Sequence, residues 1–387
     1  MRLMRLYLDY SATTPPRAEA IERMQWVLSH AWGNPSSIHW WGERAAEVLE
    51  EARCQVAALL GADPMTIVFT SGGTESDNLA LLGVAHRYDR PQHLIISSVE
   101  HSAIEASAAF LETQGWQVTR LGVDRQGVVS PDTLAAAIQP NTVLVSIIYG
   151  QNEVGTLQPI ADLAAVARMH GILFHTDAVQ LAGRVPLDVE ALGVDLLSLS
   201  SHKLYGPQGA GALYVRTGVK LAAVQRGGGQ EQALRSGTQG VATIAGFGIA
   251  AALAVEELGI ERQRLESLRD RLRSQLDHKP YLIWTGAKEQ RLPHHLSFCI
   301  DHPQRKPING KTIVRQLNLA SIGISSGSAC SSGQTQPSRI LQAMGYSDRL
   351  ALSSLRISLG KPTRLLDVDW VAQVIPQIVQ RAIEMET

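Results

Sequence analysis

Cysteine is scarce in this chain: three in 387 residues, at positions 54, 299 and 330. They are too few and too widely spaced for a disulfide framework or a CxxC metal knuckle, and no metal site is expected. That usage fits a reducing, cytoplasmic compartment. Surplus charge is also missing. Lys and Arg number 35 against 36 Asp and Glu, a net −1, with the basic residues scattered rather than massed. Such a balance gives no electrostatic attraction to nucleic acid or to an anionic membrane. No stretch ahead of Asp9 is long and apolar enough for a signal peptide. The Ala-rich stretch 241–258 carries two acids and two glycines, so no run is expected to span a membrane. Neither internal repeats nor low-complexity linkers interrupt the chain.

What remains is a pattern of short apolar runs alternating with amphipathic, Ala-rich segments. Strands are expected at 66–70, 93–98, 117–121, 143–149, 172–177, 194–200 and 211–215. Helices are expected at 43–60, 75–86, 103–114, 131–138 and 160–170. The fold class that follows is α/β: a mostly parallel seven-stranded sheet flanked by helices on both faces. A long helix, 244–276, leads away from it. Segments at 282–284, 295–300, 311–319 and 367–384 then suggest a smaller α+β C-terminal domain. The expected organisation is an N-terminal segment 1–15 near the small domain, a large domain 16–260 and a small domain 261–387.

Ligands of parallel sheets sit beyond the carboxyl ends of the strands, so residues at those ends carry weight. Val194-Asp-Leu-Leu-Ser-Leu-Ser200 delivers Ser201-His202-Lys203 and is followed by a glycine-rich turn. Lys203 in a cleft would have a lowered pKa; a surface lysine is the alternative. Phe174-His-Thr-Asp177 ends a second apolar run in an acid. Buried there, Asp177 needs a partner: a pyridinium N–H, an arginine or a helix cap. An amine and an acid on two strand ends are what pyridoxal phosphate (PLP) requires, one for a Schiff base and one to keep the pyridine nitrogen protonated. Thr70-Ser-Gly-Gly-Thr74-Glu-Ser-Asp-Asn78 reads as a phosphate cradle or as an ordinary strand-to-helix turn with a cap.

The remaining candidates are individually ambiguous. His101 could stack on a flat cofactor or be a loop histidine. Asn152 and Gln180 could reach a ring oxygen; a turn asparagine is common beside glycine. Ser200 and His202 offer donors suited to phosphate. Thr238 lies in an exposed loop with Arg235, either simply flexible or reaching a neighbouring site. Arg356 could fork onto a substrate carboxylate or make a structural ion pair. Cys54, on a helix, and Cys299, in a strand, read as packing residues. Cys330, among small residues in Ser325-Ser-Gly-Ser-Ala-Cys330-Ser-Ser-Gly333, reads as a nucleophile on a mobile arm.

Together these motifs, with Tyr7-Leu-Asp-Tyr-Ser-Ala-Thr-Thr14, Gly33-Asn-Pro-Ser-Ser-Ile-His39 and Arg356-Ile-Ser-Leu-Gly360, resemble the class I cysteine desulfurases. These are the NifS/IscS type, in the aminotransferase class V group of fold-type I PLP enzymes. The resemblance covers nearly the whole chain. It implies that Lys203 carries PLP through its amine, that Asp177 pairs with the pyridine nitrogen and that His101 stacks on the ring and shuttles protons. Gln180 and Asn152 would contact the ring oxygen or the substrate. Gly73, Thr74, Ser200 and His202 would hold the phosphate, joined by Thr238 from the other subunit of a homodimer. Arg356 would grip the carboxylate of L-cysteine, and Cys330 would take its sulfur as a persulfide, leaving L-alanine. The sulfur would pass to an acceptor or iron–sulfur scaffold protein. The chain departs from many relatives at Gln151, where a second Asn is common. The loop after Cys330, Gly333-Gln-Thr-Gln-Pro337, matches the long-loop class in length.

Two other functions fit parts of the pattern. A PLP lyase acting on cystine or selenocysteine could do without Cys330, and a transaminase would leave it idle. A non-catalytic scaffold passing sulfur on Cys330 would not need Lys203, Asp177 and Arg356.

Overall fold

The computed structural model describes residues 5–302, 308–327 and 336–385. Thirteen strands occur among them. Seven form the central sheet: β2 (Ile67–Thr70), β3 (His93–Ser97), β4 (Gln117–Leu121), β5 (Thr142–Ser146), β6 (Leu173–Asp177), β7 (Leu196–Ser200) and β8 (Gly211–Val215). Their order is β2-β8-β7-β6-β5-β3-β4. Six run in one direction, and β8 alone is reversed, antiparallel to both β2 and β7.

The sheet is covered on both faces, which explains its near-continuous apolar strands. Ile67, Phe69, Ile95, Val145, Phe174, Leu197 and Leu199 point into one core. Val68, Leu94, Ile96, Leu144, Leu196 and Leu213 point into another. The alternation follows the two-residue period of a strand. Only β4, at one edge, exposes residues, and its Arg120 lies among them. Burying a side chain such as Phe174 contributes about 1.5–3 kcal/mol.

The helices that follow β2 and β3, Gly73–Ala85 and Ser102–Thr113, lie on the second face. The Trp40–Leu59 and Val241–Leu276 helices cover the first. Trp40–Leu59 starts three residues ahead of the expected position because the His39 ring accepts from Gly42 N–H and caps it. An Ala18–His30 helix, not among the expected elements, packs beside them.

The Val241–Leu276 helix belongs to two cores. Ile244, Phe247 and Ala251 pack against the central sheet, and Leu265, Leu268, Leu272 and Leu276 pack into a second core. Residue 260 falls inside it, so the two cores share one continuous element. This helix corrects the expectation that no run approaches a membrane span. It contains a stretch long and apolar enough to cross one, but half of that stretch is buried inside the fold.

The second core surrounds a four-stranded sheet, β12-β13-β10-β9, built from β9 (Leu282–Trp284), β10 (His295–Ile300), β12 (Ser325–Ser326) and β13 (Leu355–Ser358). The Gly310–Leu319 and Leu365–Met385 helices pack on it. The N-terminal segment joins this side. β1 (Leu6–Tyr7) runs parallel to β11 (Ile322–Gly323), Asp9 bridges to Ser358, and Ser11 N–H donates to Ser358 Oγ at 2.8 Å.

Candidate active site

Five parallel strands end at one edge of the central sheet, and the residues beyond them converge. Behind β2 come Gly73 and Thr74; behind β3, His101; behind β5, Asn152. β6 ends on Asp177, with Gln180 three residues later. β7 ends on Ser200, followed by His202 and Lys203. All of these line one cavity of about 260 Å³, together with Asp77, Ile148 and Val179. β8 begins at this edge with Gly211, which packs directly on Gly72: a Cβ there would lie 2.5 Å from Gly72 Cα.

Lys203 sits on a single tight turn, Ser201–Lys203. Its Nζ donates to the carbonyls of Ser11 and Ala12, each at 2.7 Å. Burial, with Arg356 and Arg184 nearby, lowers this amine to about 8. Asp177 is 5% exposed, and its Oδ1 accepts from Val179 N–H at 2.9 Å. Burial raises its carboxyl above the usual range, while His101 and Lys203 pull it back.

His101 caps the Ser102–Thr113 helix, its Nδ1 accepting from Ala103 N–H at 3.2 Å. The neutral ring therefore carries its proton on Nε2. Burial lowers its pKa. Gln180 donates from Nε2 to the Ser11 carbonyl at 3.0 Å and accepts from Arg184 on Oε1. Its amide thus helps to hold the same N-terminal turn that receives Lys203.

At the other end of the cavity, Gly73 opens the Gly73–Ala85 helix, where free N–H groups attract an anion. A Cβ on Gly73 would come within 2.7 Å of Val179 Cγ2, so the turn tolerates no side chain there. Thr74, Ser200 and His202 surround it. His202 Nδ1 is 3.0 Å from Thr13 Oγ1, and burial lowers this ring to about 4. This end opens into a neighbouring cleft that adds Ser71, Glu75, Gln208 and Gly209 to the same lining.

Two candidate residues stand outside the cavity lining. Arg356, on β13, stands behind Asn152: one guanidinium nitrogen donates to the Asn152 carbonyl at 3.0 Å and another to Asp9 Oδ1 at 2.7 Å. Its Nε is buried without a partner. Ser325 of β12, the strand that leads toward Cys330, is its register partner. Thr238 lies in a separate groove with Val27, Leu28, Trp32 and Gly33, where Leu28 and Trp32 are each 65% exposed. Arg235, from the same loop, pairs with Glu75 at 2.8 Å. Cys330 and residues 331–335 after it lie outside the described residues. Cys299 is fully buried, and burial pushes its thiol up to about 12, so it is a packing residue. Gln151 turns away from the cavity and uses its amide on the backbone of Val99 and Val154.

Sequence reasoning did not single out Asp77, Asp9 or the Ser11 and Ala12 carbonyls. Asp77 was visible within the Thr70–Asn78 motif, but its burial was not. A carbonyl ligand leaves no mark in side-chain chemistry.

One ligand atom each from Asp77, His101 and Asp177 lie within 4.8 Å of one another. Such a set could hold a cation. The lysine beside it and the glycine turn opposite favour an organic cofactor with a phosphate. The residues fit pyridoxal 5′-phosphate: a low-pKa amine, a buried acid with cationic neighbours, and a side-chain-free helix start ringed by donors.

Residues 6–371 match the aminotransferase class-V family. A cysteine desulfurase IscS from Dictyoglomus turgidum is 42% identical over 378 residues, covering 97% of this chain and 95% of its own. A solved NifS-like protein is 36% identical with a TM-score of 0.90, covering 98% of this chain and all of its own. The structure of SspA in complex with cysteine is 36% identical with a TM-score of 0.80, covering 92% and 99%. The chain belongs to the aminotransferase class-V family and, within it, to the cysteine desulfurases of the NifS/IscS type.

Proposed function

We propose that this chain is a PLP-dependent cysteine desulfurase that takes sulfur from L-cysteine, releases L-alanine and carries the sulfur on Cys330. The observation behind this reading is that the Lys203 amine and the buried Asp177 carboxylate line one cavity whose far end is a glycine turn at a helix start.

Bound PLP supplies an electron sink for loss of the α-proton and cleavage of the C–S bond. The chain's residues do the rest. Lys203 would hold the cofactor, and its free amine would be the base that takes the α-proton of the substrate. Asp177 keeps a negative charge facing the ring nitrogen. His101 would face the ring, and its Nε2–H would be available to move a proton. Gly73, Thr74, Ser200 and His202 hold the phosphate. Asn152 and Gln180 contact the ring oxygen or substrate, and Arg356 holds the substrate carboxylate. The Cys330 thiolate attacks the substrate sulfur and becomes a persulfide. An acceptor or iron–sulfur scaffold protein then takes the sulfur. The root of the Cys330 arm supports this, since β12 is paired to β13 at Arg356.

We further propose a cytoplasmic homodimer. Its support is the exposed apolar groove around Trp32, with Thr238 on its wall, and the cleft left open beside the phosphate end. Thr238 of one protomer would close the phosphate site of its partner.

The test is release of L-alanine from L-cysteine by the PLP-loaded protein, with Lys203→Ala as the control. Alanine from the parent and none from Lys203→Ala is the expected result. No alanine from a PLP-loaded parent would refute the assignment.

A further inference from the structure

Asp77 is unused by the reaction above, yet it lies at the floor of the cavity. It is 1% exposed, and its Oδ1 is buried without a hydrogen-bond partner. It belongs to a buried polar chain that crosses three strands. Ser146 Oγ is 2.8 Å from His175 Nδ1, and His175 Nε2 is 3.0 Å from Ser198 Oγ. Asp77 Oδ1 stands 3.8 Å from His175 Nε2, at the end of this chain. The only imidazole in that chain is neutral, because burial holds His175 at about 3.

Two acids this close and this buried cannot both ionise cheaply. Their surroundings decide which keeps the proton. Asp177 faces His101 and Lys203, both of which favour its charged form. Burial and the neighbouring Asp177 both oppose ionisation of Asp77, and His175 Nε2 stands 3.8 Å away without charge. These surroundings favour the negative charge on Asp177 and the proton on Asp77.

We propose that Asp77 is a positioning residue for Asp177: as a neutral acid it donates its hydroxyl to the Asp177 carboxylate and fixes how that carboxylate meets the cofactor's ring nitrogen. The proposal rests on the reading of this cavity as the PLP site. It makes the useful property of Asp77 its hydrogen-bond donor, not its charge. An amide should replace it and an apolar side chain should not.

Two measurements test this. Infrared difference spectra of the cofactor-free protein, wild type minus Asp77→Asn at neutral pH, read the protonation state directly. The carbonyl stretch of an un-ionised carboxyl is expected; a difference confined to ionised carboxylate bands overturns the proposal. PLP titration of the cofactor-free protein then compares variants. Asp77→Asn should bind within about threefold of wild type, and Asp77→Leu about tenfold more weakly, with kcat reduced and the KM for L-cysteine little changed. Equal damage from Asn and Leu, or none from Leu, contradicts the proposal. Asp177→Asn is measured alongside. If it leaves PLP binding and the bound-cofactor spectrum intact, the cofactor reading itself fails. If it is damaged while Asp77→Leu is not, only the Asp77 proposal fails.

Discussion

The Arg356 guanidinium meets the Asp9 carboxylate at 2.7 Å, so the fork assigned to the substrate carboxylate is already held by an internal one. The ion-pair reading of Arg356 and the substrate-binding reading are therefore compatible: one nitrogen holds the N-terminal segment, another holds Asn152, and Nε is unspent. Lysine cannot reproduce a fork. Arg356→Lys should raise the KM for L-cysteine by about tenfold or more, equivalent to one charged hydrogen bond. An unchanged KM, read from alanine release, would remove Arg356 from substrate binding.

The amine of Lys203 must lose its proton before it can bond to a carbonyl. In the cofactor-free protein it titrates near 8 rather than in the ordinary lysine range. Below that pH it is charged and unreactive. The rate of PLP incorporation should rise with pH and level off above about 8, being roughly a hundredfold slower two units below it. A profile that keeps rising past pH 10 would describe an ordinary exposed lysine.

The three cysteines should separate cleanly. Cys330→Ala should abolish sulfur transfer, whereas Cys54→Ala and Cys299→Ser should retain it. Cys299 is buried with its thiol pushed up to about 12, so it cannot substitute. Full turnover on L-cysteine by Cys330→Ala would instead indicate a lyase of the cystine or selenocysteine kind.

The groove around Trp32 leaves the apolar side chains of Leu28 and Trp32 exposed beside Thr238. Placing a charge there should disfavour association. Trp32→Glu is expected to convert a dimer to single chains in light scattering and to weaken PLP binding, since Thr238 no longer reaches a partner. A monomeric parent, or a monomeric variant with unchanged PLP affinity, would contradict the dimeric site.

Much of this site was legible because parallel strands leave a strong trace. Phe174-His-Thr-Asp177 and Leu196-Leu-Ser-Leu-Ser200 are buried throughout, so the polar residues at their ends had to face a cleft. The reversal of β8 was not legible: Gly211–Val215 is as buried as β2 and β7 on either side of it, and direction depends on a connection. Asp77 was missed for a related reason. On a helix beside Asn78 it looks like a solvated residue, and only the packing of that helix against the sheet and the Ser102–Thr113 helix buries it. The Lys203 rest position was invisible because it is made of backbone carbonyls nearly 200 residues away.

The most direct test follows the sulfur. PLP-loaded protein is incubated with isotopically labelled L-cysteine, digested without reductant and examined by mass spectrometry. One labelled sulfur should be found on the peptide holding Cys330, with L-alanine formed in equal amount. Alanine and free sulfide without any added sulfur on that peptide would contradict the account.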